Sequence, residues 1–441
     1  MTTLPQVPVS AVAATAATRR AIRVSFAQSM LGAIYAASTG GMFLIGFAKM
    51  LGADNPQIGL MSTFPMLCVF AQLLSAVLVE RGVSRRRLTL VAAVANAGCW
   101  TLIILIPQTL DGQPSAVKVG ALIAIITAVS FFGQISGNAR GSWVGDLIPE
   151  RFRGRFFGRL AMYGGMVATG FAILEGAFLD QIKHFGLDAF SLLFAFGMVF
   201  GLLNAALFRA QRDVPVHVGE HTPRFGTMLR QAFANKPLMA TMGFMLVFML
   251  QSLAWPFYIK YMLDINVPFL GVGIVNGVMM LTMLICSPMW GKIVGRFGCR
   301  PVLIFAAALL APLSASWLLV DSPATVYCII GPVNVLAGLG VSGINVGLST
   351  LLYKVTPSAG RSVQLAVNAI IITVIAAPMP WLGGHLPGFL QWLGLSADLR
   401  WTFYVAGVFC AAAAFVGQLI HEEGARSVGA LLRYMLRLSQ K

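Results

Sequence analysis

The sequence has 441 residues, of which 58% are hydrophobic and only 10% are charged, and its formal net charge is +16. Soluble domains are about half apolar and a quarter charged, so the composition excludes a soluble globular protein. The six cysteines and five histidines form no metal-ligand spacing, and no nucleophile–base pair occurs at a helix end. We therefore expect no metal, no cofactor and no enzyme.

Twelve apolar stretches follow one another along the chain, each near the roughly 20 residues that a helix needs to cross a bilayer. The segment before Arg19 is uncharged, so residues 1–21 are predicted to be a disordered tail and not a signal peptide. An even number of spans places both ends of the chain on one side. The predicted spans are 24–48, 58–79, 88–107, 117–139, 156–179, 188–208, 238–259, 269–290, 301–320, 325–352, 362–382 and 399–420.

The lysines and arginines are divided very unequally between the two sides of these spans. The side that carries both termini holds most of the 31 basic residues, and the other side holds only Lys49, Lys118, Lys183, Lys260 and Arg400. Basic loops remain in the cytoplasm. The pattern predicts a cell inner (plasma) membrane protein with both termini cytoplasmic. Basic residues spread over many segments do not form a nucleic-acid groove, so the expected partner is the lipid bilayer.

Landmarks of the first half return in the second half at a nearly constant offset. "FAKMLGADNPQIG" corresponds to "YIKYMLDINVPFLG", and "ERGVSRRRL" corresponds to "GRFGCRPVL". These matches predict two six-helix halves, 22–208 and 237–421, which a cytoplasmic linker at 209–236 connects. The linker segment "RFGTMLRQAF" and the basic amphipathic tail at 422–441 are each predicted to form a short helix that anchors to the bilayer surface.

This arrangement resembles the major facilitator superfamily, whose loops 2–3 and 8–9 carry the signature G-x-x-x-D-R-x-G-R-R. The loop between spans 4 and 5 also resembles the D-x-x-P…R-G pattern of the family, within a bacterial subgroup that the motifs do not assign. The matching residues are Glu80, Arg81, Arg85 and Arg86 in loop 2–3, Asp146, Pro149, Arg153 and Gly154 in loop 4–5, and Gly291, Arg296, Gly298 and Arg300 in loop 8–9. The resemblance implies an all-α polytopic fold of twelve helices in two six-helix pseudo-repeats, and transport by alternating access.

The chain also departs from common family patterns. Gly295 replaces the acid of loop 8–9, and no arginine lies near Ile126, where many proton-coupled members carry one in the fourth helix. The fifth helix lacks the Gly-Pro pattern of antiporters. These departures weaken an assignment as a drug/proton antiporter.

The charged loops are predicted to form a cytoplasmic gate that closes when the transporter faces outward. Paired charges and helix ends can contribute a few kcal/mol to such a closure. The alternative is that the arginines only fix the topology. The candidate gate residues are Glu80, Arg81, Asp146, Arg153 and Arg296.

Family resemblance places the substrate cavity between the first, fourth, seventh and tenth helices. Neutral polar groups at membrane depth either bond to other helices or line a water-filled cavity, and both interpretations stay open here. Pro256 is expected to bend or break the seventh helix. The candidate cavity residues are Tyr35, Ser38, Gln134, Gln251, Trp255, Asn334 and Asn345.

Glu175 is the acid that lies well inside a predicted span. A carboxyl group there is costly unless it is paired or wet, so Glu175 is the candidate for coupling transport to protons. The alternative is an interfacial acid in the outer vestibule near Asp180.

The sequence therefore predicts a secondary transporter, expected to be a monomer, of a small neutral or mildly polar solute such as a sugar-like metabolite. A proton or a sodium ion is the candidate coupling ion. The alternatives are an exporter of amphipathic compounds or drugs, and a non-transporting membrane sensor on the same fold.

Overall fold

A computed structural model of the protein describes the backbone of residues 9–147, 150–211, 235–356 and 361–438. Side-chain surroundings are described for residues 20, 22–141, 143–144, 156–211, 235–356 and 368–435. The described chain consists of helices and short connections, without a β-strand. The linker segment "RFGTMLRQAF" and the loop prolines Pro149 and Pro357 lie outside the described residues.

Within the described residues, twelve helical segments are long and apolar enough to cross a membrane. This confirms the predicted fold class of twelve helices in two six-helix halves. The spans, numbered 1 to 12 in chain order, are Ile22–Met50, Asn55–Glu80, Arg85–Thr109, Ser115–Gly141, Phe156–Phe185, Leu187–Ala210, Lys236–Asp264, Phe269–Phe297, Cys299–Leu319, Pro323–Val355, Asn368–Trp392 and Arg400–Leu419.

The α-helices that build these spans are not all continuous, because spans 1, 2, 7 and 11 each contain a break and a π-helical turn at Val326–Ile330 interrupts span 10. The first half contains Val9–Thr39, Gly41–Met50, Asn55–Leu67, Ala71–Glu80, Arg85–Thr109, Ser115–Leu147, Glu150–Ile182 and Leu187–Leu207. The second half contains Lys236–Met249, Trp255–Asp264, Phe269–Phe297, Cys299–Ala315, Gly331–Val355, Arg361–Ala376, Met379–Trp392 and Arg400–Val416. One further helix, Val428–Leu438, follows the last span.

Glycine and proline cause the breaks. In span 1 the chain leaves the helix at Gly40 and restarts at Gly41, whose φ of +52° lies in the left-handed region that glycine adopts without strain. In span 7 a 3₁₀ turn at Leu250–Ala254 precedes the helix that starts at Trp255, with Pro256 in its first turn. Proline fits a first turn because no helical N–H bond is needed there.

Span 11 extends further than the sequence predicts. The predicted stretch ends at 382, whereas the helix runs to Trp392. Pro380 and Gly383 suggest the end of a helix, but Pro380 occupies the first turn of Met379–Trp392. A β-carbon on Gly383 would collide with the carbonyl oxygen of Leu253. The glycine therefore permits close packing of span 11 against span 7.

We call the face that carries residues 81–84, Gly298 and residues 420–427 the terminal face, and the face that carries residues 51–54, 110–114 and 265–268 the opposite face. One hydrophobic cluster joins both halves toward the opposite face and includes Phe47 and Phe257. A second cluster lies within the second half. The core that connects the two halves therefore sits toward the opposite face.

The pseudo-repeat is visible in matching hydrogen bonds at the terminal face. Arg86, at the start of span 3, donates from Nη2 to the carbonyl of Arg209 at the end of span 6, at 2.7 Å. Arg300, at the start of span 9, donates to the carbonyl of Gln418 at the end of span 12, at 2.9 Å. In both halves a cationic side chain satisfies a carbonyl at a helix end.

The helix Val428–Leu438 packs against the second half. Leu431 is fully buried, and the Tyr434 ring lies 5.2 Å from the Phe297 ring, centre to centre. Arg433 is exposed on the other side of the helix. The apolar face predicted to lie on the bilayer thus covers protein in this structure.

Candidate functional site

Two cavities meet at Trp255, and we call them the larger and the smaller lobe of one two-lobed site. The larger lobe has a volume of about 680 Å³ and is lined mainly by spans 1 to 4, and the smaller has about 430 Å³ and is lined mainly by spans 7 to 10. Trp255 lines both lobes. The break before Pro256 places this tryptophan at the junction, where it is 45% exposed. Irregular backbone at membrane depth is tolerated where it lines a cavity.

The larger lobe contains a fixed polar network. The Tyr35 hydroxyl donates to Asn96 Oδ1 at 2.7 Å, and Trp100 Nε1 donates to the Tyr35 oxygen at 2.7 Å. Asn96 Nδ2 donates to the carbonyl of Val129 at 2.6 Å. These bonds hold one aromatic ring and one amide at the cavity wall. Asn96 and Trp100 were not predicted, because the predicted cavity residues came only from spans 1, 4, 7 and 10. Asn96 is a neutral amide in the middle of a span, and that feature could have marked it as a cavity residue.

The smaller lobe combines aromatic rings with amides. The Tyr258 ring stacks on Phe403 at 4.6 Å and lies 5.0 Å from Trp317, centre to centre. Asn334 donates from Nδ2 to the carbonyl of Val275 at 2.8 Å. Gln251, Asn276 and Asn345 also line this lobe.

The structure brings most of the predicted cavity residues together. Tyr35 and Gln134 line the larger lobe, and Gln251, Asn334 and Asn345 line the smaller lobe, with Trp255 between them. Gln134 also accepts a hydrogen bond from Gln72 at 2.7 Å. No charged side chain lines either lobe among the residues that the structure describes. The arrangement favours an uncharged ligand.

Ser38 lies behind the cavity wall, where it meets Glu175. Ser38 is fully buried, and its hydroxyl lies 2.5 Å from Glu175 Oε1 and 2.9 Å from the carbonyl oxygen of Ile34. Glu175 is 6% exposed, and its Oε2 has no hydrogen-bond partner. The next residue, Thr39, lines the larger lobe at the break in span 1. The carboxyl group therefore touches the helix that forms the cavity wall.

Charged side chains connect the two halves at the opposite face. Lys49 of span 1 lies 2.9 Å from Asp264 of span 7, and its Nζ donates to the carbonyl of Leu263 at 2.7 Å. Asp180 of span 5 accepts from the backbone N–H groups of Phe269 and Leu270, at 3.0 and 2.9 Å. Those two groups begin span 8, so Asp180 caps a helix of the other half.

Close backbone packing accompanies these charges. A β-carbon on Gly59 of span 2 would lie 2.7 Å from the Cα of Trp381 in span 11, and one on Gly384 would lie 2.5 Å from the carbonyl oxygen of Asn55. Such approaches are too close for a larger residue. By contrast, helix Ala71–Glu80, the terminal-face part of span 2, packs mainly on span 4. Within the described chain, the two halves are therefore joined at the opposite face.

Comparisons with known proteins give one finding on the sequence and one on the fold. The family model described as Major Facilitator Superfamily matches residues 240–427. The fold of the chain is similar to that of the nucleoside transporter NupG, with TM-score 0.68, 12% identity, and coverage of 91% of this chain and 98% of that one. The matched stretch, residues 240–427, lies in the second half of the chain and resembles this family. The likeness to the solved structure, at 12% identity, concerns the fold.

Two further solved structures are similar in fold to this chain. One is the inward open conformation of the xylose transporter XylE from E. coli, with TM-score 0.68, 14% identity, and coverage of 93% of this chain and 99% of that one. Another is a bacterial homologue of the human lysosomal transporter Spinster, inward-facing and unoccupied, with TM-score 0.67, 12% identity, and coverage of 92% and 96%. No curated protein sequence matches the chain.

The predicted gate residues do not form a cluster in the described structure. Glu80 and Arg81 are exposed, and neither makes an ion pair with a described residue. Arg296 lies over the Tyr434 ring at 4.9 Å, a contact within its own half. The side chains of Asp146 and Arg153 lie outside the described residues. The gating role of these five residues stays a prediction.

The described terminal face contains one ion-paired cluster, which was not predicted from the sequence. Glu422 Oε1 lies 2.8 Å from Lys354 Nζ, and Oε2 accepts from the backbone N–H groups of Cys299 and Arg300 at 2.7 and 2.8 Å. Burial acts to raise the pKa of Glu422, but the Lys354 ammonium and the two N–H groups outweigh it and hold that pKa below its ordinary value. Glu422 thereby connects spans 9, 10 and 12 within one half.

Proposed function

We propose that this protein moves a small, uncharged, polar solute with a flat or ring-shaped body, such as a sugar or a nucleoside, by secondary transport. The observation that carries this proposal is the two-lobed cavity, in which amides and aromatic rings line both lobes and the described lining includes no charge. Both directions of transport, import and export, are compatible with this cavity.

The chemistry of the lining supports this class of solute. Amide groups both donate and accept hydrogen bonds, as the hydroxyl groups of a sugar require. Indole and phenol rings offer flat apolar faces for a ring of the solute. A charged solute would lose its hydration here without gaining a counter-charge, which is costly. Proteins of similar fold are named as transporters of nucleosides and xylose, and at this level of identity the likeness concerns the fold.

An uptake screen in proteoliposomes tests the proposal. Purified protein should take up nucleosides or pentoses and hexoses, but not their phosphate or carboxylate derivatives. Trp255→Ala should reduce uptake at least about tenfold, because truncation of a ligand-facing tryptophan commonly costs 2 kcal/mol or more. Trp392→Ala is the matched control, since Trp392 is 78% exposed and distant from the cavity.

Other outcomes would replace this function with one of its alternatives. Uptake of charged solutes would contradict the proposed solute class. Transport of amphipathic compounds alone would favour a drug exporter. Saturable binding of a solute without any flux would favour a membrane sensor.

We further propose that Glu175 carries a proton that drives transport. The Ser38 hydroxyl has one proton but lies within hydrogen-bond distance of both the Ile34 carbonyl and Glu175 Oε1. Both bonds form together only if Glu175 is protonated and donates to the serine oxygen. Loss of that proton would reverse the bond: the Ser38 hydroxyl would donate to the carboxylate and give up its bond to the Ile34 carbonyl in the broken helix of span 1.

Replacement of Glu175 with Gln tests this coupling. The variant should lose uptake driven by a proton gradient and keep exchange of solute across equilibrated membranes. Glu423→Gln is the control, because Glu423 is an exposed carboxylate outside the spans. If both activities of Glu175→Gln match the parent, proton coupling through this residue is wrong, and a uniporter or a sodium-coupled carrier is favoured.

We also propose that the terminal face is cytoplasmic in a cell inner membrane. The support is the basic bias of the terminal-face segments over an opposite face that keeps few basic residues. Alkaline phosphatase fused after Gln113 should be active, and the same enzyme fused after Pro223 should be inactive. The reverse pattern would overturn the orientation.

We propose that the contacts at the two faces open and close in turn during transport by alternating access. The opposite-face contacts of Lys49 and Asp180 support a state that is closed to the outside. The predicted Asp146 gate would close the cytoplasmic side in the other state. Asp146→Asn should then favour the inward-facing state and slow net transport without abolishing binding. Unchanged cysteine accessibility at both cavity mouths, together with normal transport, would contradict the gate.

A further inference from the structure

A third, smaller cavity adjoins the larger lobe on the side of the terminal face. Its volume is about 180 Å³, and it shares Tyr35, Asn96 and Gly133 with the larger lobe. Its own lining includes Ser136, Arg140, Asn204 and Phe208. We call this cavity the arginine pocket. Unlike the two lobes, it contains a full positive charge.

The charge of Arg140 has no described counter-ion. Its guanidinium lies 5.8 Å from the centre of the Phe208 ring. Among the side chains that the structure describes, no carboxylate lies within ion-pair distance of it. Arg140 is half-buried near the end of span 4. An arginine at the edge of the apolar layer usually has a partner of opposite charge, so the pocket lacks a negative group.

The remaining polar groups show where such a group would bind. The Ser136 hydroxyl donates to the carbonyl of Thr89, and the Tyr35 hydroxyl donates to Asn96. Asn204 Oδ1 is buried without a hydrogen-bond partner. The two ends of an amide are nearly indistinguishable in shape, so a rotated Asn204 presents its NH₂ group at that position. The guanidinium and this amide are therefore the donors available to a ligand.

We propose that the arginine pocket binds a small monovalent anion, either an inorganic halide or the carboxylate group of an organic acid. One negative charge matches the single guanidinium. The pocket has room for about six waters at roughly 30 Å³ each, which suits a partly hydrated anion and not a second bulky solute. This inference rests on the pocket alone and does not depend on the solute that occupies the two lobes.

An anion in this pocket would act on the solute cavity through Tyr35. The Tyr35 ring lies between the two spaces, and its hydroxyl joins Asn96 and Trp100. An anion in the arginine pocket would therefore affect the hydrogen bonds of Tyr35 in the larger lobe. Trp100 also supplies a fluorescence reporter, because its indole N–H bonds directly to Tyr35.

Anion titration of the purified full-length protein tests the inference. Tryptophan fluorescence and the thermal unfolding temperature would be followed in sodium chloride, in sodium acetate and in sodium gluconate at constant ionic strength. A ligand of the folded state raises the unfolding temperature saturably. We expect this response in chloride or acetate and not in gluconate, which is too large for the pocket. A stronger response to chloride identifies an inorganic site, and a stronger response to acetate identifies a carboxylate site.

Variants of the pocket locate the response. Arg140→Gln should weaken anion binding by at least about tenfold, because a lost charge-assisted hydrogen bond commonly costs that much. Arg140→Lys keeps the charge and should retain a weaker response, which separates lost binding from misfolding. Arg433→Gln is the matched control, since Arg433 is exposed on the last helix.

Three results would overturn the proposal. The first is an equal response to chloride, acetate and gluconate. The second is a response that Arg140→Gln retains in full. The third is a response that is absent in the parent and present in Asp146→Asn, which would make Asp146 the counter-ion of Arg140. None of these results identifies the transported solute, so the proposed function is tested separately.

Discussion

The opposite face and the terminal face of this protein use charge differently. At the opposite face, Lys49 and Asp180 bond across the boundary between the two halves. At the terminal face, the described Lys354–Glu422 pair connects spans of a single half. The face with few basic residues therefore holds the contacts that join the halves.

This difference separates two roles of a basic residue. At the opposite face, Lys49, Lys260 and Arg400 each have a carboxylate partner, in Asp264 for the two lysines and in Asp398 for the arginine. At the terminal face, Arg81 is exposed without a described ion pair. Where basic residues are abundant, they fix the topology by their number alone. Where they are few, each one acts through the carboxylate with which it pairs.

The largest expected effect comes from Gly59→Leu, which places a side chain against the backbone of Pro380 and Trp381. Because backbone atoms cannot move aside, the contact between the halves should lose about 3 kcal/mol, and transport should fall by a hundredfold or so. An introduced cysteine at Ser62, in a background without native cysteines, should become more reactive from the opposite face.

Gly120→Leu is the control for this substitution, because a β-carbon on Gly120 meets nothing within 4 Å. Normal transport by Gly59→Leu would show that spans 2 and 11 need not touch during the cycle.

Asp180→Ala should have the next largest effect, because it removes both bonds to the start of span 8. Loss of a charged acceptor should destabilise the state that is closed at the opposite face by about 1.5 kcal/mol. The equilibrium should then shift about tenfold toward the state that is open at that face. The measurement is again the reactivity of a cysteine at Ser62 from each face. Asp188→Ala, an exposed aspartate near the start of span 6, should behave like the parent. Equal reactivity in the two variants would limit Asp180 to a local role.

Glu422→Gln should lower stability and leave the access of the cavity unchanged. The pKa of Glu422 is lowered on folding, so its ionised form stabilises the protein above the ordinary value of 4.5, and this contribution is lost as the pH falls below that value. The variant should be less stable by about 1 kcal/mol at pH 7. Its unfolding temperature should converge with that of the parent below pH 4.5.

Glu423→Gln, at an exposed neighbouring position, should show no such difference. A change in cysteine reactivity at Ser62 in Glu422→Gln would contradict the assignment of this cluster to one half.

The smallest effect is expected from the Lys49–Asp264 pair. Its side chains are 37% and 31% exposed, and pairs of this kind contribute about 0.2–1 kcal/mol. Lys49→Met and Asp264→Asn should each change the accessibility of the cavity less than about fivefold. In the double variant, the change in free energy should be smaller than the sum of the two single changes. Strict additivity would mean that the two side chains do not interact.

The membrane spans could be predicted from the sequence because hydropathy and span length are local properties. The bilayer requires a run of apolar residues wherever a helix crosses it. Span 11 was predicted too short because Pro380 and Gly383 resemble a helix end. In the folded chain they are the first turn of a helix and a site of close packing.

The candidate cavity was predicted only in part. Tyr35 and Trp255 were expected from their positions on spans 1 and 7, which family resemblance associates with the cavity. Asn96 and Trp100 were missed, although Tyr35 bonds to both. The sequence of span 3 alone does not show that Asn96 and Trp100 face span 1. That orientation depends on how the helices rotate about their axes when they pack.

The sequence by itself thus determined the twelve spans, the two halves and the bias of basic residues, since each follows from composition and spacing along the chain. Only the tertiary structure decided which charges meet. Asp180 and the start of span 8 are distant in sequence, and so are Ser38 and Glu175. Their contacts arise from the packing of one half against the other and of span 1 against span 5, and the linear sequence carries no direct record of either.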